Sequence, residues 1–217
     1  MRRQNVVGLA SVGAVALLSL AGTASADIVI QLGMGWEAVL PDGSNVTLTV
    51  NQSTDGVLHL SKEATFRSID PFTGAPEPAL ITFRQVAADA QTASQIIIDD
   101  EMILNLTGMT WTGYRQILGL SNNVAFNNAS LGMSVGPEFT TNTMLNSNRE
   151  LLSDGGPGVS NFGMWMPGTV GGLVIDINLA GQDEPVIFTL KELPVIPTPG
   201  AIALGSIGLA AMGRRRR

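Results

Sequence analysis

Leu173-Val174-Ile175-Asp176-Ile177-Asn178-Leu179-Ala180-Gly181-Gln182-Asp183-Glu184-Pro185-Val186-Ile187-Phe188-Thr189-Leu190-Lys191 is the stretch that decides the fold class. Leu173, Ile175, Ile177 and Leu179 alternate with Val174, Asp176 and Asn178. Val186, Phe188 and Leu190 then alternate with Ile187, Thr189 and Lys191. A period of two belongs to a strand with one buried face. Ala180 to Asp183 reads as a turn, so residues 170 to 192 predict an antiparallel hairpin.

The same alternation recurs outward along the chain. Ile28, Ile30 and Leu32 carry it, as do Val46, Leu48 and Val50. Asp55-Gly56 is a hairpin signal just before Leu58 and Leu60. Helical signals are weak: short helices are candidates over Gln85–Gln95 and Met144–Leu152, but neither has a wide apolar stripe. Asp70–Pro78, with Pro71, Gly74, Pro76 and Pro78, reads as a rigid loop, and Gly155-Gly156-Pro157-Gly158 as another. The expected fold is all-β, an antiparallel two-sheet β-sandwich, in one body with a candidate sub-boundary at 70–78.

Both ends of the chain read as targeting segments. Arg2 and Arg3 form a positive n-region, Val6 to Leu20 is apolar, and Ala24-Ser25-Ala26 is a small-x-small cleavage site. Cleavage after Ala26 by signal peptidase would leave Asp27 first; the alternative is an uncleaved N-terminal anchor. At the other end Pro197-Thr198-Pro199-Gly200 precedes an apolar run to Gly213 and then Arg214, Arg215, Arg216 and Arg217. The run predicts a short helix over 200–213, spanning roughly 21 Å against a hydrocarbon core of about 30 Å. The arginines would stop transfer and hold that end on the cytoplasmic side. The expected segments are therefore a signal peptide over 1–26, an exported body over 27–193, and a terminal signal over 194–217 with its basic end at 214–217.

Setting these segments aside changes the electrostatics. Six of the twelve basic residues are Arg2, Arg3 and Arg214–Arg217, whereas all eighteen acids lie in the body. The body keeps six basic residues and a formal charge of −12, twice the −6 of the whole chain. Its basic residues, Lys62, Arg67, Arg84, Arg115, Arg149 and Lys191, are scattered. Nucleic acid is not an expected partner for such a surface. The chain has no cysteine, which excludes disulfides, cysteine nucleophiles and cysteine metal sites.

The order Pro-x-Pro, apolar helix, basic end resembles the PEP-CTERM sorting signal of Gram-negative bacteria. Thr198 stands where the family name implies Glu. The resemblance covers about a tenth of the chain. It implies recognition by an exosortase-type membrane protease, a transient inner-membrane intermediate, and release to the cell surface or extracellular matrix, often beside exopolysaccharide. The alternative is an ordinary C-terminal anchor that is never cut. A second resemblance lies at Asn105-Leu106-Thr107-Gly108-Met109-Thr110-Trp111-Thr112-Gly113-Tyr114, preceded by the apolar-acidic run Ile96–Ile103. It is similar to a strand, Asn-x-Thr-Gly turn and Trp-Thr-x-aromatic strand of other PEP-CTERM ectodomains, with Gly113 where an acidic residue is common. It implies a shared β-module and no catalytic activity. Trp111 suits a core anchor, and on a regular strand Tyr114 would face the other side.

Candidate chemistry is sparse. His59 is the single histidine, and its place between Leu58 and Leu60 predicts a solvated side chain. Sites needing two histidines are excluded, and no Gly-x-Ser-x-Gly elbow is present. Asp99-Asp100-Glu101 is the densest acidic cluster and could offer hard ligands to calcium, but on a regular strand the three cannot converge. Asp100 shares the parity of Ile96, Ile98, Met102 and Leu104, which suggests a break in the strand. The cluster is expected on a solvated turn or face, and Trp165 in the core. No catalytic, cofactor-binding or metal residue is assigned. The expected function is a non-catalytic surface or matrix protein. The alternatives are a carbohydrate-binding module, with or without calcium, and a glycoside-cleaving enzyme with a facing carboxylate pair.

Overall fold

The computed structural model describes residues 26–70, 72–133, 135–168 and 171–197. Ala24, Thr198, Pro199, Gly200, Arg214, Arg215, Arg216 and Arg217, and with them the expected signal peptide and apolar helix, lie outside these residues. Among the described residues the strands are β1 (Ile28–Gly33), β2 (Trp36–Leu40), β3 (Val46–Val50), β4 (Val57–Phe66), β5 (Ala79–Gln85), β6 (Gln95–Asn105) and β7 (Trp111–Gly119). They continue with β8 (Val124–Phe126), β9 (Thr141–Leu145), β10 (Glu150–Val159), β11 (Met164–Trp165), β12 (Leu173–Ile177) and β13 (Ile187–Val195). One 3₁₀ turn, Asn128–Gly132, interrupts them. No described helix is long and apolar enough to cross a membrane.

The strands form two sheets. The first has the order β1-β2-β5-β13-β7-β10-β9 and is antiparallel throughout. The second has the order β3-β4-β6-β12-β8, with β11 also on β6. One hydrophobic cluster lies between them. Phe66 of β4 packs edge-on against Trp111 and Tyr114 of β7, and Trp165 of β11 meets Tyr114. The all-β, two-sheet expectation holds, but the second sheet is mixed. β4 and β6 pair in parallel, from Val57↔Gln95 to Phe66↔Asn105.

The deciding stretch is not a hairpin. β12 pairs with β6 and β8 in one sheet, while β13 pairs with β5 and β7 in the other. Alternation fixes which face is buried but not which strand lies alongside. The residues between them carry the chain across the sandwich, and Gln85 Oε1 receives the Val186 amide at 2.9 Å where it arrives. The Asp55-Gly56 turn does form, with φ of 42° and 80°, and joins β3 to β4.

Neither short helix exists. Residues 86–94 form a loop in which Thr92 Oγ1 receives the Asp89 amide at 3.0 Å and donates to the Ala87 carbonyl at 3.1 Å. Such side-chain bonds compete with a helical ladder. Met144–Leu152 is the tip of the β9–β10 hairpin, where Asn146, Ser147 and Asn148 take φ of 51°, 55° and 61°. Gly155–Gly158 also departs from the expected loop. It bulges within β10, whose register on β7 slips between Asp154 and Val159. Opposite the bulge the burial alternation of β7 breaks between Trp111 and Tyr114, and Tyr114 is buried on the same side as Trp111, not opposite it.

β1 is antiparallel to β2, β2 to β5, and β5 to β13. The strand that opens the body therefore starts at the end of the sheet where the last strand finishes.

Candidate functional site

Three clusters of polar side chains stand out, and the most buried spans the sandwich. β4 presents Leu58, Leu60, Lys62, Ala64 and Phe66 to the core, so Lys62 sits at an apolar position of a perfect alternation. Its partner in β6 is Glu101. From the other sheet come Glu192 of β13 and Tyr114 and Gln116 of β7. All five side chains are buried. Lys62 Nζ contacts Oε1 of both Glu101 and Glu192. Tyr114 OH donates to Glu192 Oε2 at 3.1 Å, and Gln116 Nε2 donates to Glu192 Oε1 at 3.2 Å.

The charges in this cluster do not cancel if both carboxyls are ionised. A net negative charge in a dry core is costly, so a proton is retained. Burial pushes Glu101 up to about 8, against the opposing pull of Lys62. Burial opposes the Lys62 charge, but the two carboxyl groups outweigh it and raise its pKa. Burial, then the charge of Glu192, holds Tyr114 well above the ordinary tyrosine value, so its hydroxyl is a donor. Two acceptors remain poorly served. Gln116 Oε1 has no hydrogen-bond partner, and Glu101 Oε1 touches Nζ without hydrogen-bond geometry.

The second cluster lies on the outer face of the mixed sheet. The β4–β6 register slips between Leu60↔Ile98 and Ser61↔Asp100, leaving Asp99 as the extra residue of a bulge. Asp99 Oδ2 meets His59 Nδ1 at 2.6 Å, and Oδ1 accepts from Asn51 Nδ2 at 2.9 Å. His59 is thus half-buried and partnered rather than simply solvated. The break suggested by the parity of Asp100 is this bulge, and it corrects the placement of Glu101. Beyond it the alternation resumes one residue out of phase, and Glu101 turns into the core instead of onto a solvated face. An Asp–His pair is the orienting half of a nucleophilic triad. Ser61, however, donates its hydroxyl proton to Asn51 Oδ1 at 3.1 Å, not to the imidazole.

The third cluster is structural. Asn105 is fully buried where β6 leaves one sheet for the other. Its Nδ2 donates to the carbonyls of Met109, Val159 and Ser160 at 2.8, 2.9 and 3.1 Å. Its Oδ1 accepts from the Thr107 amide and hydroxyl at 3.0 and 2.7 Å, and Thr107 Oγ1 accepts from Trp111 Nε1 at 3.1 Å. The Asn-x-Thr-Gly-x-x-Trp stretch is therefore a hydrogen-bonded crossover from sheet to sheet.

Sugar-stacking surfaces are scarce. All three Trp and the single Tyr are buried, and Phe72 and Phe162 alone among the aromatics are exposed. Surface cavities of about 320 and 300 Å³ have no aromatic lining. Of the targeting residues, Ala26 and Asp27 are exposed just before β1, and Pro197 is half-buried just after β13. Lys62, Gln116 and Glu192 are not among the candidate residues expected from the sequence. The signal was their parity: Lys62 with Leu60 and Ala64, Gln116 with Tyr114 and Leu118, Glu192 with Phe188 and Leu190. Comparison with family models, curated proteins and solved structures returns no match for this chain.

Proposed function

We propose that this chain is an exported, non-catalytic surface or extracellular-matrix protein, processed by signal peptidase after Ala26 and sorted by an exosortase-type protease at Pro197-Thr198-Pro199-Gly200. The observation that carries the reading is the succession of elements in the tail sequence: Pro-Thr-Pro, an apolar run and Arg214–Arg217, on a chain that opens with a signal-peptide pattern. The body is compatible with this role. β1 begins and β13 ends at the same end of the first sheet, an arrangement compatible with processing at both ends of the body. The carbohydrate-binding alternative has less support, because the indole and phenol rings that would stack on sugars are all in the core.

The test is the mass of the mature protein from wild-type cells and from cells lacking the sorting protease. A species starting at Asp27 and ending near Pro199 only in wild type is the expected result. A C-terminus at Arg217 in both strains overturns the sorting assignment.

A further inference from the structure

We propose that Lys62 and Glu192 become joined by an amide bond that staples the two sheets together, formed inside the core by their own cluster with Glu101 as the proton carrier. The inference stands on the buried cluster and is independent of the export reading.

Four features of the cluster support it. First, the reacting groups already touch: Nζ of Lys62 lies against the Glu192 carboxyl, and both side chains are inaccessible to solvent. Strands fixed on both sides hold them there, which replaces a collision by a preset approach. Second, Tyr114 OH and Gln116 Nε2 donate to the two Glu192 oxygens, where negative charge grows as nitrogen adds to the carboxyl carbon. Third, Glu101 contacts the same nitrogen and retains a proton at neutral pH, as a carrier must. Fourth, condensation replaces a buried ammonium and carboxylate by a neutral amide, removing two charges from a dry interior. The new N–H also needs an acceptor, and the cluster contains two that lack a well-placed donor, Glu101 Oε1 and Gln116 Oε1. Glu192 is the acylating partner because both its oxygens receive hydrogen bonds, whereas Glu101 is the acid.

The step balances without any co-reactant. Lys62 enters as ammonium and Glu192 as carboxylate, and one proton first passes from Nζ to the Glu192 carboxyl it touches, leaving an amine lone pair facing a carboxylic acid. The Nζ–Cδ bond forms and one Cδ–Oε bond breaks. Two of the three ammonium hydrogens leave with that oxygen as one water. Glu101 passes its proton to the departing oxygen and takes one from Nζ, so it ends as it began. Nothing is oxidised or reduced.

The test is the intact mass of the purified full chain under denaturing conditions, followed by proteolysis and fragment sequencing. The expected result is a mass about 18 Da below the sequence mass, one water lost in a covalent modification. One branched peptide should link Lys62 to Glu192, and it should be absent from Lys62→Met. Folded Glu101→Gln is expected to retain the full mass. A wild-type chain of full sequence mass overturns the proposal, even if neither variant folds. A water loss mapped to any other pair, Lys62 with Glu101 included, overturns the assignment of Glu192. Complete cross-linking of Glu101→Gln removes Glu101 as the carrier.

Discussion

Replacing Asn105 by alanine should cost this fold several kcal/mol, although the side chain is small and polar. The residue makes four full hydrogen bonds inside the crossover: two N–H groups shared among three carbonyls, and two accepted by Oδ1. At about 1 kcal/mol net for each of the four, plus a further penalty for the buried partners left unpaired, the loss is roughly 5 kcal/mol. Water entering the vacated space recovers part of it, leaving about 3–4 kcal/mol. For a body of this size each kcal/mol lowers Tm by about 2–4 °C, so the expected fall is about 6–16 °C. The assay is thermal unfolding of the purified protein followed by circular dichroism, with urea titration as a second measure. Asn105→Asp separates hydrogen bonding from packing, because it keeps the shape and one acceptor but sets a carboxylate against three carbonyls. At pH 7 it should be at least as unstable as Asn105→Ala. Relative to wild type at the same pH it should partly recover near pH 4, where the acid regains a proton to donate. If Asn105→Asp melts within about 2 °C of wild type at pH 7, the crossover is not held by this side chain.

Other outcomes are equally specific. Thr107→Val, which takes the partner from Trp111 Nε1, should cost about 1–3 kcal/mol in the same melts. Gly158→Ala should lower stability by about 3 kcal/mol or more, since φ is 77° and a Cβ would run into the Trp111 carbonyl. Stability should fall as pH rises between about 4.5 and 8: Glu101 is protonated in the fold up to about 8 but only to its ordinary 4.5 when unfolded. The contribution is complete below the lower value and lost through the upper, on the order of 5 kcal/mol over the window. The direction does not depend on Lys62 keeping its charge, because burial is the largest cause. Glu101→Gln should remove this slope in pH-dependent urea titrations. Finally, the double change Pro197→Ala with Pro199→Ala should leave the protein full-length in membranes. Normal release, read by immunoblot of membrane and medium, would refute the motif assignment.

The fold class was legible because it rests on side-chain parity, which a sequence displays directly. Ile28–Leu32, Val46–Val50 and Phe188–Leu190 all occupy strands as their alternation implies. Strand partners were not legible. β12 and β13 look like one hairpin, yet lie in different sheets, because pairing depends on long-range packing that alternation does not encode. The polar core was hidden by residue type: Lys62 and Glu192 have core parity, but charged residues are seldom fully buried without partners, and those partners lie far away in sequence. Glu101 was hidden by geometry, since a one-residue bulge at Asp99 reverses the face on which every later side chain of β6 falls. The apparent helix at Met144–Leu152 failed for a local reason, three successive residues in the left-handed region.

The shared position of the strand ends has a mechanical consequence. Tension applied between Ile28 and Val195 would peel β1 from the edge of its sheet, opening its hydrogen bonds one after another at low force. Tension borne at Val195 alone, with the load on the rest of the body, acts along an interior strand flanked by β5 and β7. Both ladders must then shear together, and the resisting force is correspondingly high. A body held only by its last strand is thus loaded along its strong direction, whereas a body gripped at both ends is loaded along its weak one.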